Sequence, residues 1–277
     1  GFIGAQKVTY SVFDMFFRRF ESDEERAKRI NNVSVNLDRL ALEHGDHGDF
    51  IYAVTTNFDT DGEKAQEEAI VSKDADHSPV KKLNANGDEI LKRNGFFDCG
   101  GEVNVKRSSL TNNIYGVSKI SDVAIGPEGT FTLLDKKRSK LFTYDSNGQL
   151  LFAFGDFSEL YQNGALNQGK ALAMDYQKVP GQGGTQTHNA CVMGLERGTI
   201  TVFTRTDYGD LLIQALAHEN ARDYEASAQD WQDIIGANNN FDAAYVGVGR
   251  SLYYQGRYDE AMEYLKAAKE TTYYAQA

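Results

Sequence analysis

The chain has 277 residues, 40 of them acidic and 29 basic, for a net charge of −11, with 41% hydrophobic and 12% aromatic residues. That composition is globular and excludes a disordered chain, while so acidic a surface repels phosphate backbones and argues against nucleic acid as a partner. No apolar run reaches the roughly 18–20 residues of a spanning helix, and the two cysteines, Cys99 and Cys191, match no zinc or redox spacing and leave their pairing open.

From the start of the chain, Gly1-Phe-Ile-Gly4 reads as the end of a strand. Val12, Phe13, Phe16, Phe17 and Phe20 follow at helical spacing, and Ser22-Asp-Glu-Glu25 has the acidic first turn of a helix start. Residues 11–30 are therefore expected as one or two inserted helices. Leu40-Ala-Leu42, a turn at His44 to Asp49, and Phe50 to Val54 predict a strand pair. Residues 57–77 are polar and charged and read as a surface insertion. Val80 to Leu83, the Asn86-Gly87 turn and Glu89 to Leu91 predict two further strands.

The clearest unit runs from Ile120 to Gly155. Four β-prone runs are separated by Gly126-Pro-Glu-Gly129, by a basic turn after Asp135, and by Asn147-Gly148. Asn-Gly is a strong hairpin signal because both positions tolerate positive φ. Four sequential antiparallel strands make one propeller blade. Ala171 to Met174, Asn189 to Met193 and Thr199 to Phe203 predict three more strands, the first two joined by a loop at Gly181 to Gly184. Leu40, Val123 and Leu172 are the expected anchors of the first strand in each unit. After Phe203 the apolar period becomes that of helices.

The series Asp122-Val-Ala-Ile125, Glu128-Gly129, Leu134-Asp135, Leu141-Phe-Thr-Tyr-Asp145, Asn147-Gly148 and Phe154-Gly155 resembles the NHL repeat of β-propellers, over about 36 residues. Two flanking units resemble it more loosely. Phe241 to Ala268 resembles the tetratricopeptide (TPR) repeat, with Tyr245, Val248, Gly249, Leu252, Ala261, Leu265 and Ala268 on its signature positions. Small residues at Gly249 and Ala261 let two antiparallel helices approach closely. Tyr224, Ser227 and Trp231 precede Tyr258, Ala261 and Leu265 by 34 residues each, the period of that repeat. The combination resembles a bacterial family in which an NHL propeller is followed by TPR hairpins and often by a membrane region of the Yip type.

The resemblance implies a mainly β plus α fold. About three blades of a partial propeller would occupy residues 1–205, with insertions at 11–30 and 57–77, and two TPR hairpins would occupy 206–277. It further implies a fragment of a larger surface-associated protein, extracytoplasmic or membrane-associated, with blades before Gly1 and a membrane part after Ala277. A ring closed by a second copy is the other way to cover bare strand edges. No activity carries over from the family.

Three sets of residues invite chemistry. Glu43, His44, Asp46, His47 and Asp49 are the densest metal-capable group, though His, Gly and Asp equally suit a hairpin turn. Asp122, Asp135 and Asp175 lie near strand ends, where propeller hydrolases of the gluconolactonase type hold a divalent cation; blade turns explain them as well. Gly181 to Gly184 leads into a strand, not the helix a phosphate loop needs. The expected function is thus a non-catalytic scaffold with no cofactor and no metal. Its partner would be a protein or peptide held on Tyr245, Tyr253 and Tyr254 of the TPR face, with Phe13, Phe16 and Phe17 as a second docking stripe. A metal-dependent hydrolase and a glycan-sensing surface protein are the alternatives.

Overall fold

The computed structural model describes residues 39–45, 48–55, 78–92, 99–104, 116–157, 165–166, 171–180, 186–194, 198–269 and 273–276. The strand expected at 1–4, the helices expected at 11–30 with Phe13, Phe16 and Phe17, the insertion expected at 57–77 and the loop expected at 181–184 lie outside them.

Among the described residues, the chain is mixed β and α. The first sheet joins β1 (Arg39–Gly45), β2 (Gly48–Val54) and β3 (Val80–Leu83) as antiparallel neighbours, and Leu83 bridges on to Glu89. Strands run right up to Gly45 opposite Gly48, so His44 and Asp49 are paired strand residues and not part of a broad turn. The face of β1 also differs from expectation. Leu40 and Leu42 are 50% and 60% exposed, while Ala41 packs against the core. Two short strands, β4 (Val103–Asn104) and β5 (Gly116–Val117), pair next.

The second sheet is the four-strand meander β6 (Ile120–Ile125), β7 (Phe131–Asp135), β8 (Lys140–Tyr144) and β9 (Leu150–Phe154). β10 (Asp156–Phe157) and β11 (Ala165–Leu166) pair in parallel. The third sheet comprises β12 (Ala171–Pro180), β13 (Gln186–Gly194) and β14 (Thr199–Phe203). β12 is far longer than the four residues expected, pairing with β13 as far as Pro180 opposite Gln186.

The inner strand β7 of the middle sheet is buried on both faces, and all five of its residues are apolar, hydroxylic or hydrogen-bonded. The cross-strand row Val123, Leu133 and Phe142 belongs to one core with Tyr52, Val54 and Val80 of the first sheet. The opposite row of Leu134, Leu141 and Phe154 packs with Val192 and Phe203 of the third sheet. β6 touches both β1 and β12, so the first strands of the three sheets lie side by side. Each fully buried side chain of this kind contributes roughly 1.5–3 kcal/mol. Cys99 and Cys191 are both free thiols.

Four helices follow: α1 (Asp207–Asn220), α2 (Tyr224–Ala237), α3 (Asp242–Tyr254) and α4 (Tyr258–Ala267). Thr206 and Asp223 cap α1 and α2 by accepting from the Gly209 and Ala226 amides. Each helix packs on the next. Gly249 makes this possible, since a Cβ there would lie 2.6 Å from Leu265 Cγ and 3.3 Å from the Ala261 carbonyl. Leu151 of β9 is buried in the same cluster as Leu212, Trp231 and Leu252, so the helices share a core with the edge of the middle sheet. No described helix is long and apolar enough to cross a membrane.

Candidate functional site at the sheet–helix junction

The junction is built around Arg250. It stands in α3 amid apolar and small residues, and only 3% of it is exposed. Its Nη2 donates to Glu219 Oε2 at 2.7 Å and its Nε lies 2.6 Å from Oε1, so α3 is tied to the end of α1. On the other side its Nη2 is 3.7 Å from Asp145 Oδ2. Burial alone would lower the guanidinium pKa, but Glu219 and Asp145 outweigh it and hold the group above its ordinary value. Asp145 is itself fixed by the turn it closes, with Oδ1 accepting from the Asn147 and Gln149 amides at 2.9 Å each. The Asn147-Gly148 hairpin therefore sits at a defined height against the helices.

A cavity of about 590 Å³ opens beside this charge cluster. Lys92, Ser146 and Asn147 line it from the sheets, and Asn220, Arg222 and Tyr254 from the helices. Lys92 Nζ donates to Asn147 Oδ1 at 2.9 Å, which orients the amide. Tyr224 and Tyr254 stack at 4.9 Å and 22°, and Tyr273 meets Tyr254 edge-on at 6.2 Å. Tyr253 joins Tyr254, Tyr258 and Tyr273 at ring distances of 5.5, 5.4 and 5.8 Å. Burial and the Tyr254 hydroxyl raise the Tyr273 pKa, so its phenol stays protonated. The site thus offers aromatic planes, fixed amides and basic rim groups in one concavity.

Of the three tyrosines expected to form one surface, Tyr253 and Tyr254 enter this cluster. Tyr245 does not: its hydroxyl donates to the Asn239 carbonyl at 3.1 Å and its ring faces Tyr264 at 6.4 Å. Arg250, Arg222 and Tyr273 were not expected. A lone arginine in the apolar run Val246 to Leu252 was the available signal for the first of them.

The other candidate sets are dispersed by strand geometry. Successive residues of β1 point to opposite faces. Glu43 turns inward, with Oε2 3.0 Å from Lys82 Nζ, while His44 Nδ1 meets Asp49 Oδ1 at 2.9 Å in solvent. Asp46 and His47 lie outside the described residues. Asp135 is committed to its turn: Oδ1 accepts from the Lys119, Lys137 and Arg138 amides, and Oδ2 faces Arg138 Nη1 at 3.2 Å. Asp122 and Asp175 each accept from the next residue's amide. Among the described residues no three His, Cys, Asp or Glu side chains gather as a metal-holding group.

No protein-family model matches the chain, and no match is found among curated proteins.

Proposed function

We propose that the protein is a non-catalytic binding scaffold in which NHL-type propeller blades carry two TPR hairpins, and that the junction cavity receives a peptide of a partner protein. The blade reading is supported by three stacked antiparallel sheets whose first strands β1, β6 and β12 are adjacent, as blades around an axis would be. The TPR reading is supported by the sequential packing of α1 to α4 and by the closeness of Gly249 to Leu265.

One observation carries the functional reading. The cavity walls come from both halves of the molecule and are fixed in place by the buried Asp145–Arg250–Glu219 cluster. A preformed concavity loses little entropy on binding. Stacked Tyr224 and Tyr254 suit peptide planes and side-chain faces, and Lys92 and Arg222 suit a carboxylate of the same peptide. Screening a library of short peptides against the chain tests this. Enriched peptides should carry an acidic residue, and Tyr254→Ala should weaken them by about tenfold or more. An enrichment that survives Tyr254→Ala and Arg222→Ala together would remove the cavity from the function.

A glycan is the second reading, favoured by the stacked pair of half-buried Tyr224 and exposed Tyr254 beside Asn147 and Asn220. A glycan array separates the two, because only one ligand class should compete for the cavity. Membrane association, and a place outside the cytoplasm, rest on the family resemblance and belong to the same proposal.

A further inference from the structure

The junction cavity presents two cations that the molecule leaves unneutralised, in a chain whose net charge is −11. Lys92 lines it from the sheets and Arg222 from the turn between α1 and α2. Both side chains are exposed, and among the described residues neither forms an ion pair; Lys92 Nζ donates to the neutral Asn147 Oδ1. The nearby acids are engaged elsewhere. Glu219 meets Arg250 through both oxygens, and Asp145 binds two amides and faces the same guanidinium. Asp223 caps α2, Glu225 acts on Arg257, and Glu128 accepts from Asn220. Three basic and two acidic groups therefore meet at the junction, and Lys92 and Arg222 are the exposed ones.

Arg222 also stands where its backbone disfavours it. Its φ is 62°, in the left-handed region, and its amide donates to the Glu219 carbonyl at 2.9 Å. One 34-residue repeat further on, the same turn holds Gly256 at φ 78°, with its amide donating to the Tyr253 carbonyl at 2.9 Å. A Cβ at Gly256 would meet nothing within 4 Å, so the backbone angle alone favours glycine there. The turn itself has no need of an arginine. Strain of this kind collects at ligand-binding positions, and what the cavity gains from the arginine is its charge.

We propose that the cavity anchors a phosphorylated residue of the partner peptide, with the phosphoryl group held between Lys92 and Arg222 and the flanking peptide against Tyr254. This rests on the cavity receiving a peptide and names the group that anchors one. A phosphoryl group carries about −1.5 to −2 charge at neutral pH and three acceptor oxygens, so cations on two walls can each take an oxygen of their own. A side-chain carboxylate carries a single charge on two oxygens in one plane, a geometry that suits one guanidinium. Ser146, which also lines the cavity, adds a hydroxyl donor.

Two peptide libraries offered to the full chain, one with phosphoserine and one with glutamate at a fixed central position, provide the test, with calorimetric titration of the strongest binders. Phosphoserine peptides should bind about tenfold tighter or more than the same sequences with glutamate, and that gain should be lost when Lys92→Gln and Arg222→Gly are combined. Arg222→Gly relieves the left-handed residue, so it should not lower the thermal midpoint, which separates lost binding from lost folding. Equal affinity for phosphoserine and glutamate peptides would overturn the phosphoryl anchor and leave the peptide reading standing. Failure of both libraries to bind would remove the peptide reading and the anchor with it. Displacement of a bound phosphopeptide by an equal concentration of inorganic phosphate would assign the site to free phosphate and overturn the proposal, as would a phosphoserine gain that survives the double variant. A lowered midpoint in Arg222→Gly would make the arginine a residue of the turn and overturn it too.

Discussion

Arg250 ties three parts of the molecule together: its own helix, the end of α1 and the β8–β9 turn. Its guanidinium compensates two carboxylates, Glu219 and Asp145, that are themselves 14% and 4% exposed. Removing one member of such a cluster leaves the remaining charge buried and uncompensated, a cost of about 3–5 kcal/mol. Arg250→Leu should therefore lose about that much in urea unfolding, and adding Glu219→Leu should recover part of the loss. His188 offers a test of opposite character. Its folded-state pKa lies below the ordinary ~6.5, so below that pH the unfolded chain takes up a proton before the folded one does. Stability should fall as pH drops from ~6.5 toward the depressed value, and His188→Gln should flatten that slope. The effect is modest because the ring is only half-buried and solvent still screens its charge in part. The sequence singles out Tyr253 and Tyr254 as aromatic side chains on a helix face, which suit a concave surface, and both enter the ring cluster at the junction. Tyr245 stands apart from them because it is nine residues from Tyr254, about half a turn away at 3.6 residues per turn. Nothing local could pair Arg250 with Asp145, which lies about a hundred residues away in a turn of the middle sheet.

The strands and helices themselves were largely legible, and the reason lies in their turns. In the meander, Asn147-Gly148 sets one hairpin, with Gly148 at φ 78° and a would-be Cβ colliding with the Lys92 carbonyl. Gly148→Ala should cost more than about 1 kcal/mol in thermal unfolding, through strain and the displaced backbone together. Asp135 sets the β7–β8 turn, binding three amides and the buried Arg138 guanidinium. Asp135→Asn keeps one acceptor oxygen but removes the charge beside Arg138, so a loss of about 2–4 kcal/mol in the same measurement is expected. Where turn chemistry was weaker, the sequence was ambiguous. Leu40-Ala-Leu42 alternates cleanly, yet alternation alone does not say which face is inward, and the small Ala41 and charged Glu43 took the inner side because Lys82 pairs with Glu43 there. β12 outran its expected length because Asp175 to Lys178 is polar, and polar residues serve a solvent-facing strand as well as a loop.

At the scale of the molecule, the question is whether sheets and helices form one cooperative unit. Their contacts differ in kind. Leu151 contributes apolar burial to the helical core, Arg250 and Asp145 a buried charge pair, and Asn220 Nδ2 an exposed hydrogen bond to Glu128 Oε2 at 3.0 Å. The first two decide the coupling, since an exposed hydrogen bond adds only about 1 kcal/mol, whereas truncating a buried leucine costs about 2–5 kcal/mol. Trp231 is buried between α2 and α3 and reports the helices by fluorescence, while far-UV circular dichroism reports all elements together. In the unaltered chain the two urea transitions should coincide, as they do for a two-state unit. The pair Leu151→Ala and Asp145→Ala cuts both strong links and leaves Asn220–Glu128 intact. The fluorescence and dichroism midpoints should then separate, and any peptide affinity measured at the junction cavity should fall even though Tyr224, Tyr254 and Arg222 are unchanged. Coincident midpoints in that double variant would mean that the two halves are joined by contacts other than these, and that the cavity does not depend on the Arg250 cluster to hold its walls apart.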